Sequence, residues 1–177
     1  MHLLRDSFPD TADGPRVSGA GRTVIIGVGN DFRGDDGAGP AVLARLAGLV
    51  PPGVDLVASD GEPANLLEAW DGASLAIVVD AVQAGSAPAG ALHRVEITSL
   101  GAASGAELVG ESAGLSGSHQ LGLGSAIGLA QVLGRLPARL IVHGIQGGDF
   151  TLGAGLSNPV AGAIDDLLTA VIADLQC

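Results

Sequence analysis

Two adjacent carboxylates, Asp35 and Asp36, lie in a glycine-rich turn, Gly27-Val28-Gly29-Asn30-Asp31-Phe32-Arg33-Gly34-Asp35-Asp36-Gly37-Ala38-Gly39-Pro40. A third, Asp80, closes the apolar run Leu75-Ala76-Ile77-Val78-Val79, and an imidazole, His119, sits in Ser116-Gly117-Ser118-His119-Gln120-Leu121. Asp36, Asp80 and His119 form a donor set suited to a divalent metal with open coordination positions. Each also has a plainer reading. Asp36 suits a helix start, where a carboxylate complements the dipole. Asp80 suits a turn after a strand, and His119 a surface or capping role. For Asp36 alone the plainer reading leads; the convergence of all three on one edge brings the metal site level with it. Asp60, Asn30 and Asp35 are secondary candidates along the same cleft, although an Asp-Gly turn is the simpler role for Asp60. The three principal residues are expected to face solvent in that cleft.

Other chemistries are poorly served. The chain has no lysine, which removes a Walker-type phosphate loop and a Schiff base. There is no G-x-S-x-G elbow for a serine nucleophile. Gly27-x-Gly29 is a weak dinucleotide signature, because Gly34 is displaced and carboxylates stand where a pyrophosphate needs positive potential. A net charge of −11 argues against nucleic acid. No apolar run is long enough for a bilayer. The single cysteine, Cys177, rules out a disulfide within the chain and favours a reducing compartment, the cytoplasm. His93 and His143 fall within strands, where packing or surface exposure explains them; Asp149, Asp165 and Asp166 read as loop and solvent-facing charges.

The elements that must position these groups follow from hydrophobic period and turn residues. Residues 1–21 read as a flexible N-terminal extension, and 22–177 as a single α/β domain. Strands are expected at 22–28, 54–59, 75–79, 91–97 and 139–145. Helices are expected from Gly39-Pro40 to before Pro51, over 64–70, from about 119 to 133, and after the capping group Ser157-Asn158-Pro159. Residues 99–117 are expected to form a loop with one helical turn. The loop from Gln83 to Gly90 is too short for a crossover helix, which makes the fourth strand antiparallel. The fold class is therefore a three-layer α/β/α domain with a mixed five-stranded sheet, order 2-1-3-5-4. Asp36 and Asp80 then fall at the carboxyl ends of strands 1 and 3, where the strand order reverses and open sheets place ligands.

The first motif, Gly27-Val28-Gly29-Asn30 followed by Gly34-Asp35-Asp36-Gly37-Ala38-Gly39, resembles that of the nickel–iron hydrogenase maturation endopeptidases. The resemblance continues through Asp60-Gly61, Ile77-Val78-Val79-Asp80-Ala81, Ser118-His119-Gln120-Leu121-Gly122-Leu123, Gly144-Ile145 and Leu156-Ser157. It implies an enzyme that removes a short C-terminal extension from the hydrogenase large-subunit precursor. By motif position Asp36, Asp80 and His119 would be both metal-binding and catalytic. The metal would be nickel supplied by the precursor, with no tightly bound cofactor of the enzyme's own. Aspartate stands at 36 where some members have glutamate, Glu62 stands where many have glycine, and residues 1–21 have no counterpart. A non-catalytic nickel or metallocentre chaperone, a zinc-dependent amino- or amidopeptidase, and a small-ligand domain in which Asp36 merely caps a helix are the competing readings.

Overall fold

A computed structural model describes residues 21–83, 86–98 and 118–176, with the side chains of 118–121 excepted. The expectations for 1–20, for the loop over 99–117 and for Cys177 lie outside the described residues. Five strands form one sheet: β1 (Arg22–Val28), β2 (Val54–Ser59), β3 (Ala73–Val82), β4 (Leu92–Thr98) and β5 (Arg139–Gln146). Their order is β2-β1-β3-β5-β4. Only β4 runs antiparallel, against β5. A short 3-10 helix, Gly34–Gly37, precedes α1 (Ala38–Leu46); α2 (Pro63–Trp70), α3 (Ser118–Leu133) and α4 (Asn158–Asp174) are the other helices among the described residues.

The β-branched runs alternate between two cores. Val24, Ile26 and Val28 of β1, with Ala76, Val78 and Val82 of β3, pack under Leu66, Leu67 and Trp70 of α2 and Leu123, Ala126, Ile127 and Ala130 of α3. On the other face, Ile25, Ile77 and Val79 meet Val42, Leu43 and Leu46 of α1 and Val160, Ile164, Leu167 and Val171 of α4. Burying each such side chain contributes about 1.5–3 kcal/mol, so both helix layers are held by apolar burial. Helices on alternate faces follow from right-handed crossovers on either side of β1. The reversal of strand order lies between β1 and β3.

Two local differences from expectation bear on the site. β3 does not stop before Asp80: Asp80, Ala81 and Val82 stay in register with Gly144, Ile145 and Gln146 of β5. Asp80 is thus a strand residue and not part of a turn. The start of α1 is pressed onto the sheet at Gly39, where a Cβ would collide with the Val28 carbonyl and crowd that of Val79. That close approach brings the acidic turn down over the carboxyl ends of β1 and β3.

Candidate active site

The turn from β1 into α1 is built around Gly29. Its φ of +131° suits glycine alone, and a side chain there would strike the Asp36 carbonyl. The Gly29 amide donates to the Ser59 carbonyl of β2 (3.0 Å), and the Asn30 amide donates to Asp36 Oδ2 (3.0 Å). Asn30 Oδ1 accepts from the Phe32 amide (2.9 Å). Asp36 is held inward, 2 % exposed, and lines a cavity of about 830 Å³ between this turn, the end of β2 and α2. Asp36 is not the cap of α1: it lies inside the 3-10 turn, and Gly37 is the capping residue.

The cavity is acidic. Asp31, Asp36, Asp60 and Glu68 line it, with Arg33 the one cation among the described lining residues. Such a cleft attracts cations and repels phosphate. Asn30 and Asp60 both reach it. Asp60 also orders the β2–α2 connection, its Oδ1 accepting from the Glu62 amide (3.1 Å) and from Asn65 Nδ2 (3.0 Å).

Asp35 does not line this cavity. It is fully buried and turned the other way, toward the loop between β5 and α4. Its carboxylate accepts from the amides of Gly148 (2.8 Å), Asp149 (2.9 Å) and Ser157 (2.7 Å) and from the Ser157 hydroxyl (2.9 Å). Burial opposes ionisation, but those four donors outweigh it and hold the pKa below the usual value. Ser157 precedes α4 as expected, yet its hydroxyl serves Asp35 and makes no capping bond to the helix. Asp35 is therefore a clasp between two loops.

Asp80 is 0 % exposed, and neither carboxyl oxygen has a hydrogen-bond partner among the described residues. The expectation of solvent-facing carboxylates fails for both: Asp36 lines the cavity yet is almost wholly buried, and β3 carries Asp80 under the layer of α2 and α3. Burial raises the Asp80 pKa to about 8 and the Asp36 charge adds to the rise; the Ala81 amide, close by but outside hydrogen-bond geometry, opposes it only weakly. A buried carboxyl group without a partner is costly. Its dependence on Asp36 puts the two carboxylates in electrostatic contact across the β1–β3 junction.

His119 belongs to the first turn of α3, and its side chain lies outside the described residues. The backbone places this helix end: Gly122 sits so close to the Gly61 carbonyl, just past β2, that a Cβ there would collide with it. The start of α3 is thus at the carboxyl edge of the sheet, the edge that carries Asp36 and Asp80. His143 is elsewhere, buried on the α4 face with Nε2 2.7 Å from Asp174 Oδ2. Arg94 binds the same Asp174 through Nε and Nη2 (3.0 and 2.8 Å). His93 lies on β4, on the inward face it shares with Val95 and Ile97.

Comparison with known proteins agrees with this architecture. Residues 46–174 match the family model described as hydrogenase maturation protease (HycI). The chain is 29 % identical over 158 residues to the hydrogenase expression/formation protein HupD of Rhodobacter capsulatus, covering 88 % of this chain and 71 % of that one. Among solved structures, the hydrogenase maturating endopeptidase HybD from E. coli superposes with a TM-score of 0.74 at 22 % identity, over 88 % of this chain and 92 % of that one. The [NiFe] hydrogenase maturation protease HybD from Thermococcus kodakarensis gives 0.67 at 19 %, over 86 % and 97 %. Both share the fold. With the family model spanning most of its length, the chain belongs to the hydrogenase maturation protease family.

Proposed function

We propose that this protein is an endopeptidase that cleaves the C-terminal extension from a nickel–iron hydrogenase large-subunit precursor after nickel insertion, with the precursor's nickel as its recognition element. The observation that carries this reading is Asp80: a buried carboxyl group, unpartnered among the described residues, near a second carboxylate that lines an acidic cavity. A protein maintains such an arrangement at a cost to stability, and strained polar groups of this kind cluster at functional sites.

Asp36, Asp80 and His119 are the residues assigned to the precursor's metal. Two carboxylate oxygens and an imidazole nitrogen suit a divalent first-row ion. In the free protein Asp80 carries a proton below about pH 8. Binding a cation beside it releases that proton and supplies the charge partner that burial withholds. Asp36 faces the cavity, so the chain bearing the scissile bond would lie across Gly29, Asn30 and Asp36, with the walls of β2 and α2 opposite. A peptide held in this cleft would be fixed by position against Asp36.

Among the described residues no helix is long and apolar enough to cross a membrane. The test is a time course in which purified protein meets nickel-loaded precursor and the product is weighed by mass spectrometry. A product shortened at its C-terminus is expected. Tight binding with no shortening would make the protein a metallocentre chaperone, and release of single amino acids from small peptides would make it an aminopeptidase.

A further inference from the structure

Asp80 of β3, Gly144 of β5 and His93 of β4 form one row across the sheet. Asp80 pairs with Gly144, and Gly144 pairs with His93. Residues paired in this way point to the same face. The next row identifies that face: Val78, Val142 and Val95 all pack into the core beneath α2 and α3. Asp80 and His93 therefore lie under the same layer with only a glycine between them. The His93 Cβ is 3.6 Å from the point a Gly144 Cβ would occupy, and the Val82 methyls stand 3.0 and 3.2 Å from it. His93 Nε2 is buried without a hydrogen-bond partner among the described residues, as are both oxygens of Asp80.

Three buried polar atoms in one row, all unpaired among the described residues, are unusual, because such groups are nearly always satisfied by protein or by ordered water. Two strand spacings, roughly 10 Å, separate the two backbones. Side chains of these lengths would span most of that distance by leaning toward each other, and a single water between them would find the several polar partners that a buried water needs. Glycine at 144 puts no side chain of its own between them. Carboxylates that bind metals are commonly oriented by a hydrogen-bonded neighbour that does not itself touch the metal.

We propose that His93 is a positioning residue for Asp80, holding its carboxyl group through one bridging water over Gly144 and so setting which oxygen Asp80 presents to the precursor's metal. The inference rests on the reading of Asp80 as a site residue. It assigns His93 no contact with substrate.

Two measurements on the full chain test it. In metal-free protein with 15N-labelled histidine, Asp80→Asn should shift the ring nitrogens of His93. Unchanged His93 ring shifts would overturn the link. In the processing assay, His93→Phe should slow cleavage roughly tenfold to a hundredfold, the usual effect of losing such a partner. His93→Gln keeps an N–H donor and should recover most of the rate. Equal rates for wild type and a folded His93→Phe chain would overturn the proposal, as would Gln and Phe variants that are equally slow. The ring-nitrogen measurement uses native His93, so it decides the matter even where the Phe chain misfolds. Absence of cleavage by wild type would overturn the endopeptidase reading, and the ring shifts would still decide whether His93 and Asp80 are linked.

Discussion

Asp36 and Asp80 face each other electrostatically across the junction of β1 and β3, and together with burial the Asp36 charge raises the Asp80 pKa to about 8. One of these carboxyl groups stays protonated at neutral pH in the metal-free protein. That property ties the stability of the fold to the chemistry of the site.

The first prediction concerns that link. In the unfolded chain Asp80 ionises near its ordinary value of 3.8, while in the fold it keeps its proton to about pH 8. Between those limits the folded state binds more protons, so Asp80 makes stability fall as pH rises. Asp80→Asn removes this dependence. At pH 8 the variant should be more stable than wild type by a few kcal/mol, and the gain should shrink toward pH 4. Thermal unfolding across that range measures it. A difference independent of pH would show that Asp80 is not held protonated.

The second prediction concerns Asp35. Four hydrogen bonds from Gly148, Asp149 and Ser157 end on its buried carboxylate. Asp35→Ala leaves those donors unpaired and should cost about 3 kcal/mol or more, read as a lower urea midpoint. Asp35→Asn should cost less, since one acceptor oxygen remains. Its depressed pKa gives the opposite pH sign to Asp80: the stabilisation is full above about pH 4 and is lost as pH falls through the folded pKa.

The third prediction concerns the far face. Burial lowers the His143 pKa below its ordinary 6.5, against the pull of Asp174. The unfolded chain then takes up a proton that the fold resists, so stability should decline as pH falls below about 6.5. Asp174→Asn removes the carboxylate shared by His143 and Arg94 and should cost roughly 2 kcal/mol. Because this cluster lies on the face away from the cavity, precursor cleavage per folded molecule should match wild type. A matching loss of cleavage in folded protein would mean the two faces are coupled.

Much of the architecture was legible in the sequence. The β-branched runs, the proline and glycine stops and the short connection before β4 specify five strands and the antiparallel β4, and the expected order with strand 1 between 2 and 3 is the one observed. Local pattern could not separate Asp35 from Asp36. The two are chemically identical neighbours, and only the 3-10 turn decides that one faces the cavity and the other the β5–α4 loop. The apolar run ended at Asp80 on paper, but pairing with β5 carries the strand to Val82 and takes the carboxylate into the core. The role of His93 is hidden in the sequence for a similar reason. Alternation assigns it a face, but its neighbour across Gly144 is a product of register, which no single strand encodes.

The central claim is that the precursor's nickel is read by Asp36, Asp80 and His119. The most direct measurement is cleavage of nickel-loaded and nickel-free precursor by wild type, Asp36→Asn, Asp80→Asn and His119→Ala, with folding checked for each. Asparagine keeps the shape of aspartate and offers a metal only a neutral carbonyl oxygen. Wild type should shorten the nickel-loaded precursor and leave the nickel-free form intact even in excess, and each folded variant should fail on both. Equal cleavage of the nickel-free precursor by wild type would contradict the account.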